Sequence, residues 1–275
     1  MNSAPIGVFD SGLGGLTVAA EILERLPGES ILYFADTAHV PYGERPLDEI
    51  QGFALDITGF LQSQGAKMVV MACNMSSAVA LDAAVLAYPD IPVIGVIEPG
   101  ARAASRCAGD RPIGALATTG TVASHAYSNV IGRIAPSIAV YEQACPDFVP
   151  IVESGRCESP EAYAAAGEYV GALLEHAVGA IILGCTHYPF LSKAISAAAG
   201  PGVSLIDPAE ETVNEIRNIL VERDIQATAG SRPAHRFISS GDPAAFAELG
   251  SRLMGRRIER AERAVWGVDL GRVYA

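Results

Sequence analysis

The sequence predicts an α/β protein of two similar halves, each a mainly parallel sheet flanked by helices, and three observations point there. Short, continuously apolar runs alternate with amphipathic patterns along most of the 275 residues, the mark of parallel strands covered on both faces. Half of the residues are hydrophobic and only 18% are charged, so the chain can bury a real core and is not mainly disordered. One apolar strand delivers Cys73-Asn74 in the first half, and another delivers Cys185-Thr186 in the second. In open α/β sheets ligands bind at the carboxyl ends of strands, so two half-sites facing one another across a cleft are expected.

The elements follow in order. Ile6 to Asp10 reads as a strand, and the glycine-rich turn Ser11 to Gly15 follows it. Leu16, Ala19, Ala20, Leu23 and Leu26 then recur at three- and four-residue spacing, which lays one apolar helix face on a sheet. Pro27-Gly28 ends that helix. Ile31 to Phe34 stops at Asp36, Met68 to Met71 stops at Cys73, and Val93 to Val96 stops near Glu98. Helical patterns lie between them, for instance Leu55 to Leu61 and Val79 to Leu86. In the second half Ile113 to Ala117, Ser137 to Val140, Ala180 to Leu183 and Val203 to Ile206 read as strands. Helices are expected at Glu161 to Glu175 and Leu191 to Ala199. No linker rich in Pro, Ser or charge separates the halves, which puts a boundary in a tight connection near Pro99.

Composition excludes several functions. Nineteen Lys and Arg against 31 Asp and Glu give a net charge of −12, so the field repels phosphate backbones and no nucleic-acid partner is expected. The longest apolar runs fall far below the ~18 residues of a membrane span. With no basic n-region or apolar h-region at the N-terminus, export is not expected. The five cysteines, an odd number without a CxxC pair, read as reduced thiols in a cytoplasm.

A buried cysteine is usually an inert small hydrophobe, and Cys107, Cys145 and Cys157 keep that reading. Cys73 and Cys185 differ, because Asn74-Met75-Ser76-Ser77 and Thr186-His187 follow where a core strand would continue apolar. A working thiol needs a base, cation or helix N-terminus beside it, and His187 is a candidate proton-handling partner for Cys185. Asp10 either caps the following helix or holds a proton or an ammonium, while the glycine turn offers amides to an anion. Neither a Walker loop nor a Gly-x-Gly-x-x-Gly fingerprint is present. Pro41-Tyr42-Gly43, Thr118-x-Gly120-Thr121 and Glu153 are loop features open to the same two readings. Zinc is not expected, since Cys185-x-His187 is the single near pair. A Cys-His hydrolase would leave the second cysteine unexplained.

Together these residues resemble the glutamate racemases of the cofactor-independent aspartate/glutamate racemase superfamily. The likeness runs through Phe9-Asp10-Ser11-Gly12-x-Gly14-Gly15-Leu16-Thr17, Asp36-Thr37, Pro41-Tyr42-Gly43, Ala72-Cys73-Asn74, Gly95 to Pro99, Thr118-x-Gly120-Thr121, Cys145-Pro146, Glu153 and Gly184 to Pro189. It covers about residues 6 to 208. The resemblance implies a two-base isomerase that needs no pyridoxal phosphate or metal, with Cys73 and Cys185 on opposite faces of the α-carbon of glutamate. Asp10 would assist Cys73, His187 would assist Cys185, and Glu153 would lie near the latter pair. Ser11, Pro41, Tyr42, Gly43, Asn74, Thr118, Thr121 and Thr186 would bind the substrate. Residues 1–98 with 208–275 would form the first lobe and 99–207 the second. A cytoplasmic homodimer supplying D-glutamate for bacterial peptidoglycan is implied, with an aspartate racemase or a silent amino-acid-binding protein as alternatives. One departure stands out: Met75 occupies a place where many members carry Thr.

Overall fold

The computed structural model of the protein describes residues 3–228, 230 and 232–266. The chain divides into two compact units, one holding the described residues up to Val96 together with those from Thr212 onward, the other Ile97–Glu211.

The first unit begins with β1 (Ile6–Asp10), α1 (Leu16–Arg25), β2 (Ile31–Ala35), α2 (Leu47–Ser63), β3 (Met68–Met71), α3 (Asn74–Ala87) and β4 (Val93–Gly95). Two later strands, β9 (Arg236–Ser239) and β10 (Glu262–Arg263), complete a six-stranded sheet in the order β10-β9-β2-β1-β3-β4. Every pairing is parallel. All residues of β1 to β4 are buried, which is why these strands read as unbroken apolar runs. Phe9, Phe34, Val69 and Met71 pack with Ile57 and Leu61 of α2, each large side chain contributing about 1.5–3 kcal/mol by leaving water.

The second unit holds α4 (Ile97–Ala108), β5 (Ile113–Ala117), α5 (Thr119–Ala123), α6 (Ala126–Ile134), β6 (Val140–Ala144), α7 (Phe148–Glu153), α8 (Pro160–Leu174), β7 (Ala180–Gly184), α9 (Ser192–Ala199) and β8 (Ser204–Ile206). Its four strands form a parallel sheet in the order β6-β5-β7-β8. The division between units falls within α10 (Pro208–Glu222), and α11 (Pro243–Met254) lies between β9 and β10.

One expected strand is misplaced. Ser137 to Val140 is not a strand; β6 starts at Val140 and runs to Ala144. It is an edge strand, partly exposed along its whole length; the buried Glu142 side chain accepts from the Ser128 hydroxyl at 2.9 Å, and Glu142 and Gln143 mask the apolar signal. No described helix is long and apolar enough to cross a membrane.

Candidate active site

In the first unit β1 and β3 are neighbours, with Phe9 opposite Met71 and the Ala72 amide donating to the Phe9 carbonyl. That register brings Asp10 and Cys73 out of the sheet side by side. Asp10 is buried and its carboxylate accepts from the Gly12 amide at 3.0 Å. It thereby tightens the glycine turn that leads into α1, whose N-cap is Gly15. Gly15 is required here: a Cβ would lie 2.6 Å from the Asp10 Cβ and 2.9 Å from both the Ala72 Cβ and the Tyr33 hydroxyl. The Tyr33 hydroxyl in turn donates to the Gly12 carbonyl at 3.1 Å.

Cys73 is the N-cap of α3, in extended conformation with φ −67° and ψ 122°. Its buried thiol donates to the Ser11 hydroxyl at 3.9 Å. Burial, and then the charge of Asp10, push this thiol up to about 11, while the Ser76 amide and hydroxyl and the Ser11 hydroxyl pull the other way. At neutral pH Cys73 thus carries its proton. Asn74 is buried, and Met75 packs with Tyr42, Ile50, Phe53 and Val79 beside Cys73.

The loop after β2 supplies Tyr42, whose buried hydroxyl donates to Asp36 at 2.6 Å. Burial and then Asp36 hold this phenol well above its ordinary range. The same carboxylate accepts from the His39 ring, the Ser240 hydroxyl at 2.7 Å and the Trp266 indole at 2.9 Å. Pro41 is exposed and Gly43 half-buried, both outside the cluster around Cys73.

In the second unit Ala117 of β5 pairs with Gly184 of β7, so Thr118 and Cys185 emerge at the same sheet edge. Thr118 caps α5, accepting from the Thr121 amide at 3.4 Å, and the two hydroxyls lie 3.0 Å apart. The Cys185 sulfur lies 3.8 Å from Nδ1 of His187, whose Nε2 is 3.5 Å from the Glu153 carboxylate at the end of α7. Cys185, Thr186 and His187 are buried, whereas the Glu153 side chain is 43% exposed. Gly184 has no room for a side chain, since a Cβ would meet the Leu116 carbonyl at 2.7 Å and the Tyr127 ring at 2.9 Å.

Each half thus presents a thiol at a strand end, one beside a carboxylate and two serines, the other beside an imidazole backed by a carboxylate. The remaining thiols are differently placed: Cys107 is exposed, Cys157 is partly exposed, and burial keeps Cys145 strongly protonated. Among the described residues no group of three or more His, Cys, Asp or Glu is placed to hold a metal. Ser76 stands in the polar run after Cys73 that the sequence marks, as a hydroxyl that could stand in for the one Met75 lacks. Ser240 and Trp266 were not expected at the first site and carry no local signal, being more than 200 residues from Asp36.

The sequence profile of the Asp/Glu/Hydantoin racemase family matches residues 6–216. The chain is 41% identical to a glutamate racemase of Beutenbergia cavernae, over 96% of this chain and 94% of that protein. Its fold superposes on a glutamate racemase isoform from Bacillus anthracis with a TM-score of 0.91 at 35% identity, covering 98% of this chain and all of the other. A glutamate racemase from Francisella tularensis, solved in complex with D-glutamate, superposes with a TM-score of 0.89 at 34% identity, covering 96% of this chain and 98% of that one. The chain belongs to the Asp/Glu/Hydantoin racemase family.

Proposed function

We propose that the protein interconverts L- and D-glutamate, with Cys73 and Cys185 as the two bases. The observation that carries this reading is the pair of thiols, each at the carboxyl end of a buried parallel strand and each given its own polar partners. One thiol would serve a hydrolase; a racemase needs two proton-handling groups. In the L-to-D direction the Cys185 thiolate takes the α-proton, and the bonding electron pair stays on the α-carbon, delocalised into the carboxylate. The Cys73 thiol then delivers its proton to the opposite face. Cys73, held protonated at neutral pH, suits that acid role. The reverse direction exchanges the two roles, and each turnover leaves thiol and thiolate interchanged, so protons must re-equilibrate with solvent before the same enantiomer is used again.

His187 and Glu153 accept and relay charge at Cys185, and Asp10 does so at Cys73. Ser11, Tyr42, Gly43, Asn74, Thr118, Thr121 and Thr186 supply the hydroxyl, amide and backbone donors that hold the substrate, with Pro41 shaping the Tyr42 turn. Fixed donors in a site closed to water are what stabilise a carbanion without an electron sink. The product fits supply of D-glutamate to peptidoglycan in a bacterial cytoplasm, by a homodimer whose state light scattering would establish.

The test is proton NMR of the cofactor-free protein with L-glutamate in deuterated water, followed by chiral analysis. Loss of the α-proton signal with formation of D-glutamate is expected. Cys73→Ser and Cys185→Ser should each abolish racemisation, and substantial turnover in either variant refutes the two-base assignment.

A further inference from the structure

We infer that Ser76 is a positioning residue for the reaction, its hydroxyl and amide together holding the Cys73 sulfur in place and favouring its thiolate. The inference rests on the reading of Cys73 as a base and adds to it a residue that the family likeness does not supply.

The geometry comes from the start of α3. Cys73 stands at the N-cap, where a side chain normally accepts from the amide two or three residues ahead. Its thiol makes no such bond as a donor, but as a thiolate it becomes the acceptor that this position demands. Ser76 is the third helical residue, and in a capping box that residue's side chain reaches back toward the cap. The Ser76 side chain is fully buried, and its hydroxyl has no oxygen or nitrogen partner among the described residues. A buried hydroxyl without a partner is costly; this one sits in the helical turn that Cys73 caps, and both the Ser76 amide and hydroxyl favour the ionised form of that sulfur. A thiolate formed during turnover satisfies that hydroxyl; a thiol does not. The bond is therefore stronger in the charged state the reaction must create, which is how a fixed donor lowers a barrier.

The other titratable groups facing Cys73 are Asp10, Tyr33 and Tyr42. Asp10 opposes ionisation of the thiol. Both phenols are held protonated by burial and neighbouring carboxylates. Ser11 is the other hydroxyl on the sulfur, at 3.9 Å, and it comes from the glycine turn after β1, whereas Ser76 belongs to the helix that Cys73 caps.

The experiment is alkylation of the full-length protein with iodoacetamide at pH 8, with Cys73 and the exposed Cys107 quantified in the same digest as target and internal reference. Losing one donor to the thiolate in Ser76→Ala raises the Cys73 pKa by about one unit. The tenfold smaller thiolate fraction is partly offset by a more nucleophilic sulfur, so Cys73 should label about threefold more slowly relative to Cys107. A purely structural role predicts the opposite sign, because loosened packing exposes the buried sulfur and speeds labelling. Slower labelling supports the inference; unchanged or faster labelling overturns it. Should Cys73→Ser retain racemisation, the base assignment fails on its own, and the labelling result shows separately whether Ser76 governs the thiol.

Discussion

Cys73 and Cys185 leave their strands in the same way but enter unlike surroundings. The first is a helix cap with Asp10, Ser11 and Ser76 around it, and the second has an imidazole at 3.8 Å with a carboxylate behind it. Met75 follows Asn74 on α3 and is buried against Tyr42, Ile50, Phe53 and Val79. A thioether there supplies apolar contact to the wall that holds Tyr42. Met75→Thr should therefore destabilise the fold by about 1–3 kcal/mol, through lost burial and a hydroxyl placed among apolar groups, read as a lower urea midpoint at unchanged slope. A midpoint equal to that of the parent would show that the cluster does not depend on the thioether. The principal site residues were legible because cysteine, aspartate and histidine are out of place at the end of an apolar run. Ser76 was legible as a hydroxyl beside Cys73 but not as a partner of the sulfur, since a serine in the first helical turn is ordinary until the capping residue is known to be a reactive thiol.

At the scale of elements, what the sequence reveals depends on how many faces of a strand are covered. β1 to β4, β5 and β7 are buried throughout and can be read directly as apolar runs. β6 and β10 are edge strands, and β10 is two charged residues long, so pairing rather than hydrophobicity defines them. The family resemblance places residues 208–275 with the first lobe, but no apolar pattern marks β9 itself, and the anchor of the segment before it is a long-range polar one. Lys67, just before β3, is buried in an ion pair with Glu29 and also donates to the Ile225 carbonyl at 2.8 Å, while Glu29 accepts from the Ala227 amide at 2.7 Å. This clasp fixes residues 225–227, which lead into β9, against the opposite end of the sheet from Cys73. Removing one partner of a buried pair leaves the other charge uncompensated. Lys67→Met should cost about 3–5 kcal/mol in chemical denaturation, and the double variant Lys67→Met, Glu29→Leu should recover much of that loss. Equal loss in both would mean that the backbone contacts, rather than the orphaned charge, dominate.

For the whole molecule, the proposed reaction imposes a constraint that no single residue can escape. L- and D-glutamate are mirror images with identical free energies in water, so their equilibrium constant is one at every pH. The ratio of kcat/KM in the two directions must equal that constant, whatever the asymmetry of the two half-sites. The chemical difference between Cys73 and Cys185 can therefore appear only in kcat and KM taken separately, where each reports how the bound states are balanced. Glu153→Gln weakens the support of His187 and hence of Cys185, yet it should lower kcat/KM for L- and D-glutamate by the same factor, within about tenfold given the exposure of that carboxylate. Its kcat values should diverge, with the larger drop in the direction that uses Cys185 as base. Initial rates from each enantiomer, followed by circular dichroism, provide the measurement. Unequal loss of kcat/KM would show that something other than simple interconversion, such as a second product, drains the reaction, whereas equal loss with equal kcat would remove Glu153 from the Cys185 side of the mechanism.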